Sequence, residues 1–187
     1  ASAEHFNQTL NWALRLVALI TIPACAGLFI MAAPILASLF EYGEFTAKDT
    51  YFSSLSLMAY MLGLPALIVI KILAPGYYAR QDTRTPVRIG IIAMVLNMVF
   101  NIAFVVPLVM MDYQAPHVGL ALATSLSAYI NALMLYSGLR RSGIFKPEAG
   151  WFAWLFRTAI ATTAMAAAVL WLNPDTLQWS QWSLTER

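Results

Sequence analysis

Charge is what this sequence has least of. Lysine, arginine, aspartate and glutamate together make up 11% of its 187 residues, less than half of the roughly 25% usual in soluble domains. With 60% of the residues hydrophobic, too few charges remain to cover the surface of a water-soluble globule. A soluble enzyme, a nucleic-acid module and a disordered tail are all argued against, and the chain reads as an integral membrane protein. Histidine is almost missing as well. His5 and His117 are the only two, and neither a metal-ligand cluster nor a Gly-rich phosphate loop accompanies them. The lone cysteine, Cys25, cannot close an internal disulfide and sits in an apolar run, so it says nothing about redox compartment. A net charge of +2 supplies no field that would recruit nucleic acid, and no nucleic-acid partner is expected.

What the chain has in abundance is long uncharged runs. A bilayer core of about 30 Å needs roughly 20 apolar residues in helical form, and five segments meet or approach that length. The expected fold is all-α, a polytopic membrane helix bundle with spans at 12–40, 51–79, 87–111, 117–139 and 151–173. Lipid offers no partner for free backbone groups, so the spans must be helices, and the alternation of a barrel strand is absent. The connections are short, which predicts a single membrane domain over 1–187. Neither end carries the marks of a natural terminus: the start is polar without a signal-peptide pattern, and the stretch after the fifth span stops abruptly. Both ends read as truncated.

The few charges are sorted by side. Arg15, Lys71, Arg80, Arg84, Arg88, Arg140, Arg141, Lys146 and Arg157 fall on one side of the predicted topology, against Lys48 and Arg187 on the other. The positive-inside rule then puts the N-terminus in the cytoplasm and the C-terminus in the periplasm. Trp12, Tyr77, Tyr78, Trp151 and Trp154 are expected as an inner interfacial belt, Trp179 and Trp182 as an outer one.

Polar and helix-breaking residues inside the spans are the next signal. Pro23, Pro65, Pro75 and Gly76 are predicted helix breaks, since proline removes a backbone donor and broken helices at membrane depth line transporter cavities. Asn97 and Asn101 share a helix face and, with Thr124, have two readings. One is interhelical hydrogen bonding, worth on the order of 1 kcal/mol each; the other is a site for a small cation such as sodium, ligated by amide and hydroxyl oxygens. No other cofactor is expected. Gly119, Ala123 and Ser127 at four-residue spacing predict close helix packing. The alanine-rich stretch of 159–168 has the same reading. Lys71 either snorkels to the interface or faces a wet path. The loop Arg80-Gln-Asp-Thr-Arg-Thr-Pro-Val-Arg88 holds forks suited to phosphate oxygens, or serves as an anchor; Thr85 is its expected helix cap, followed by Pro86 at the first helical position.

The segment Lys71-Ile-Leu-Ala-Pro-Gly-Tyr-Tyr-Ala-Arg-Gln-Asp-Thr-Arg-Thr-Pro-Val87 closely resembles a signature of the MurJ (MviN) family of lipid II flippases. Its flanks agree at Asn11-Trp-Ala-Leu-Arg-Leu16, Leu39-Phe-Glu-Tyr-Gly-Glu-Phe45 and Gly119-Leu-Ala-Leu-Ala-Thr-Ser125. The resemblance implies the multidrug/oligosaccharidyl-lipid/polysaccharide exporter superfamily, with fourteen helices in two lobes. This chain is similar to helices nine to thirteen, the larger part of the second lobe. It also implies translocation of lipid II, an undecaprenyl-pyrophosphate-linked disaccharide peptide, from inner to outer leaflet of the bacterial inner membrane by alternating access. Partners are then lipid II, membrane lipids and the remaining helices of the same polypeptide. Lys71, Arg80, Asp82 and Arg84 are the substrate or gate candidates that match the motif. Within the same fold, a flippase or antiporter for another lipid-linked saccharide or a drug is the alternative, and a non-transporting membrane scaffold is another. An enzyme is not expected, because carboxylates and histidines that could act as acid and base are nearly missing near any one interface.

Overall fold

The computed structural model describes residues 3–172. They form six helices: α1 (Ala3–Ile30), α2 (Ala32–Phe40), α3 (Ala47–Tyr78), α4 (Arg84–Met110), α5 (His117–Arg141) and α6 (Trp151–Leu172). Every one except the nine-residue α2 is long and apolar enough to cross a membrane. The five expected spans are therefore present, with shifted edges. The interfacial role expected of Trp179 and Trp182, and residue 173 of the last span, lie outside the described residues.

The first span differs most from expectation. Helix α1 begins well before residue 12, at Ala3, with Glu4 in its first turn, where a carboxylate is stabilised by the free N–H groups of the helix start. It ends at Ile30, and Met31 separates it from α2. Pro34 explains the position: it has no N–H for the Ile30 carbonyl, and its ring would crowd that oxygen. The chain resumes with the Ile35 N–H on the Met31 carbonyl at 2.9 Å.

None of the predicted helix breaks interrupts its helix. Helix α1 runs through Pro23, and α3 runs through Pro65, Pro75 and Gly76. In a helix of 32 residues each proline forfeits one ladder bond while the flanking turns remain paired. Helix α5 also bonds to carbonyls in the two turns before Pro65. The Tyr129 hydroxyl donates to the Leu62 carbonyl at 2.8 Å, and the Ser125 hydroxyl to the Ala59 carbonyl at 2.7 Å.

Packing runs as a row, with α6 on α1, α1 on α3, α3 on α5 and α5 on α4, and with α2 also against α3. The α3–α5 contact is the closest. A Cβ on Gly63 would lie 2.6 Å from the Cα of Ser125, so only glycine lets the two backbones approach this far. The small residues of α5 behave as predicted: Gly119, Ala121, Ala123, Ser125, Ser127 and Ala128 are all buried. Those of α6 do not. Thr158 is its only buried residue, because α6 is at the end of the row and has a neighbour on one side.

A hydrophobic core gathers where the basic ends of the helices converge. Leu10 and Leu14 of α1, Leu73 and Tyr77 of α3, Ile89 of α4, Leu135 and Leu139 of α5 and Phe145 of the last loop pack together. Tyr77 thus lies in the core and not in an interfacial belt; its hydroxyl donates to the Leu135 carbonyl at 2.8 Å. Gly138 leaves the room, since a Cβ there would collide with that hydroxyl. Trp12 is 65% exposed. Large apolar side chains such as Met98, Ile102, Phe152 and Trp171 also face outward on α4 and α6. In water this surface would aggregate. In a bilayer it is solvated by lipid or covered by other helices.

Candidate functional site

The signature loop is built by the way α3 stops. The Asp82 N–H bonds to the Tyr77 carbonyl at 3.2 Å and the Gln81 N–H to the Tyr78 carbonyl at 2.9 Å, the paired closure of a Schellman motif. Its left-handed position falls on Gln81 (φ 61°), where glycine is usual. This reversal delivers Asp82 to the start of α4. There its carboxylate accepts the Thr85 N–H at 3.0 Å. Bonds from the Thr85 backbone and hydroxyl hold the Asp82 carboxyl below its ordinary range, with help from the Arg84 backbone and the Arg80 charge.

Asp82, not Thr85, is therefore the capping side chain. Thr83 occupies the N-cap position without a side-chain bond. Helix α4 starts two residues earlier than expected and places Pro86 third in the helix. The missing N–H costs nothing there, because the first four N–H groups of a helix have no intrahelical partner.

Arg80 and Asp82 come together in a pocket of about 310 Å³ bounded by Tyr77, Thr85, Gly138 and Ser142. The other two candidates are not part of it. Lys71 and Arg84 are exposed on α3 and at the start of α4.

The polar residues of α4 and α5 do meet. The Asn97 amide donates to the hydroxyls of Thr124 (3.4 Å) and Ser127 (3.3 Å), and the Asn101 amide donates to the Asn97 carbonyl oxygen (3.0 Å). Thr124 in turn donates to the Leu120 carbonyl. Asn101 Oδ1 is buried with no partner. The interhelical hydrogen-bond reading is thus satisfied, with one oxygen left over. Beside it a shallow crevice of about 280 Å³ continues past Asn97, Thr124, Ser127 and Asn131.

Sequence reasoning missed a third cluster. Asn11 is completely buried. Its amide donates to the carbonyls of Asn7 and Lys146, both at 3.0 Å, while its oxygen accepts from the Glu148 N–H (3.2 Å) and the Trp151 indole (2.9 Å). Asn7 adds a bond from the Lys146 N–H at 2.8 Å. Arg15 donates to the Ala149 carbonyl, pairs with Glu148 at 3.8 Å and lies over the Trp151 ring. Arg15 and Trp151, expected as an anchor and a belt residue, are parts of one junction between α1 and the loop before α6. The available signals were an asparagine–arginine pair four residues apart and the family resemblance of the Asn11–Leu16 segment, and neither points at a partner by itself.

Among the described residues no group of three or more His, Cys, Asp or Glu side chains could hold a metal. Comparison with known proteins gives one consistent answer. The chain matches the family model for lipid II flippase MurJ over residues 2–187. It is 43% identical to a probable lipid II flippase MurJ of Vibrio cholerae, covering 100% of this chain and 34% of that protein. It is 42% identical to the probable Haemophilus influenzae counterpart (96% and 34%), and 37% identical to the lipid II flippase MurJ of Burkholderia cenocepacia (91% and 32%). The chain spans about a third of the length of the curated relatives it matches. With five helices able to cross a bilayer and a family match over almost its whole length, the chain belongs to the MurJ family of lipid II flippases.

Proposed function

We propose that this chain forms part of the second lobe of a transporter that moves lipid II from the inner to the outer leaflet of the bacterial inner membrane by alternating access. The family match over residues 2–187 carries this reading. The fold is consistent with it. An open row of helices with outward apolar faces at α4 and α6 is what a piece of a larger helical body looks like. The α3–α5 pair, tied by three side-chain-to-backbone bonds, is suited to moving as a rigid unit. The basic ends of the helices would lie in the cytoplasm. In this reading the chemistry is transport.

Depletion of the full-length protein tests this. Lipid II is expected to accumulate in the inner leaflet and become inaccessible from outside. Undiminished arrival at the outer leaflet would overturn the assignment, and failure of another lipid-linked saccharide to arrive instead would redirect it.

We also propose that the Asn97–Asn101–Thr124 cluster takes part in binding sodium, the buried and unpartnered Asn101 Oδ1 being the oxygen best placed to accept a hard cation. The set fits only in part, since every ligand here is neutral and Asn97 Oδ1 already accepts from Asn101. Sodium should raise the melting temperature of the full-length protein where potassium does not. Asn101→Asp should lower the half-saturating sodium concentration by about tenfold, because added ligand charge tightens hard-cation sites. The absence of any sodium-specific shift in the unmodified protein would remove the proposal.

A further inference from the structure

The pocket under the signature loop holds Arg80 and Asp82, two of the motif's substrate or gate candidates, in a space too small for the transported disaccharide peptide. It lies where the C-terminal ends of α3 and α5 meet the start of α4, at the basic end of the row. Arg80 and Asp82, opposite in charge, both line it. Among the described residues the Arg80 guanidinium makes no hydrogen bond and no ion pair closer than 4 Å, the only such pair being Arg15–Glu148. Asp82 is kept ionised by the N–H groups at the start of α4. Ser142, also in the lining, donates its hydroxyl proton to the Leu139 carbonyl. The Tyr77 hydroxyl is committed to Leu135, so the floor is neutral.

Size and charge together select the ligand. At about 310 Å³ the space is at the lower edge of small-molecule sites, roughly 300–1,000 Å³. It holds a phospholipid headgroup but not a disaccharide peptide. A purely anionic headgroup would meet Asp82 and be repelled. A choline headgroup has no N–H to give to the carboxylate. A phosphoethanolamine headgroup satisfies both walls, its phosphate oxygens accepting from the arginine fork and its ammonium donating to the carboxylate.

The geometry points to a binding site for the phosphoethanolamine headgroup of a membrane phospholipid, formed by Arg80 and Asp82 in the pocket between α3, α4 and α5. The lipid would brace the end of α3 against the start of α4, independently of which substrate is transported.

Native mass spectrometry of the full-length protein with defined lipids tests this. Phosphatidylethanolamine should be retained about tenfold better than phosphatidylcholine, the value of one charge-assisted hydrogen bond. Asp82→Asn keeps a side chain able to accept the Thr85 N–H but removes the charge, and should abolish that preference. Arg80→Gln should weaken both lipids, while Lys48→Gln at the opposite end should change neither. Melting curves of each variant separate misfolding from lost binding. Displacement of the bound lipid by soluble glycerophosphoethanolamine would support a pocket that reads the headgroup alone. Loss of the preference in Asp82→Asn without such displacement would support a site filled only from the bilayer. Equal retention of the two lipids by the unmodified protein, or a preference untouched by Asp82→Asn, would overturn the proposal.

Discussion

Replacing Asn11 with alanine is expected to detach the loop of residues 142–150 from α1 while leaving the helices formed. The substitution strands the Lys146 carbonyl, the Glu148 N–H and the Trp151 indole, all of which Asn11 satisfies. Each unsatisfied buried group costs about 1–3 kcal/mol, and water reaching a newly opened junction recovers part of that. A net loss of roughly 3 kcal/mol corresponds to about a hundredfold faster amide exchange at Lys146 and Glu148. Asn11→Asp is expected to be at least as severe. It retains the acceptor for Glu148 and Trp151, but sets a carboxylate oxygen against the carbonyls of Asn7 and Lys146, where the amide now donates. Hydrogen exchange followed by mass spectrometry on the full-length protein reads both. Unchanged protection across 145–152 in Asn11→Ala would show that the junction is held by Phe145 and its apolar neighbours instead.

Gly63→Ala should strongly damage the membrane-spanning part although it adds a single methyl group. The added Cβ would sit 2.6 Å from a backbone atom of Ser125, and backbone cannot swing aside as a side-chain tip can. Helices α3 and α5 must therefore separate, which weakens the bonds from Ser125 to Ala59 and from Tyr129 to Leu62. Overpacking of this kind costs typically about 1–3 kcal/mol, and larger residues should cost more. Gly90→Ala in α4 makes the contrast. Nothing lies within 4 Å of a Cβ there, so the helix preference of alanine should leave stability unchanged or raise it by up to about 1 kcal/mol. Thermal unfolding of the two variants of the full-length protein should move in opposite directions. Equal shifts would mean that helix propensity, not the close approach, governs position 63.

Much of the fold was legible because membrane spanning is written in composition. Five long, sparsely charged runs could only become helices, and five helices long and apolar enough to cross a membrane are present. The small-residue pattern of α5 was equally readable, since buried helix contacts in lipid select for it. Prolines misled. Their chemistry predicts a lost donor, but whether a helix breaks depends on what neighbouring turns and helices supply. Pro65 sits in an unbroken helix, as Pro23 and Pro75 do, whereas Pro34 coincides with a break at Met31.

The candidate site was legible in part. Asn97, Asn101 and Thr124 were placed together correctly because two lie one turn apart on the same face and polar groups in lipid must find one another. Of the four motif residues, Arg80 and Asp82 converge, and Lys71 and Arg84 stand apart. Nothing in their spacing forecast that division, which depends on the reversal at Gln81 turning Asp82 back onto α4.

The sequence by itself determined that the chain belongs in a membrane and which five segments are long and apolar enough to cross it, because these depend on the transfer of each segment from water to lipid and are local sums. Only the tertiary structure decided which polar residues are partners. Asn11 and Trp151 are 140 positions apart, and Ser125 meets Ala59 across 66. Such pairs form because the helices pack as a row in one order, and that order is set by shape complementarity at places like Gly63, which no single segment encodes.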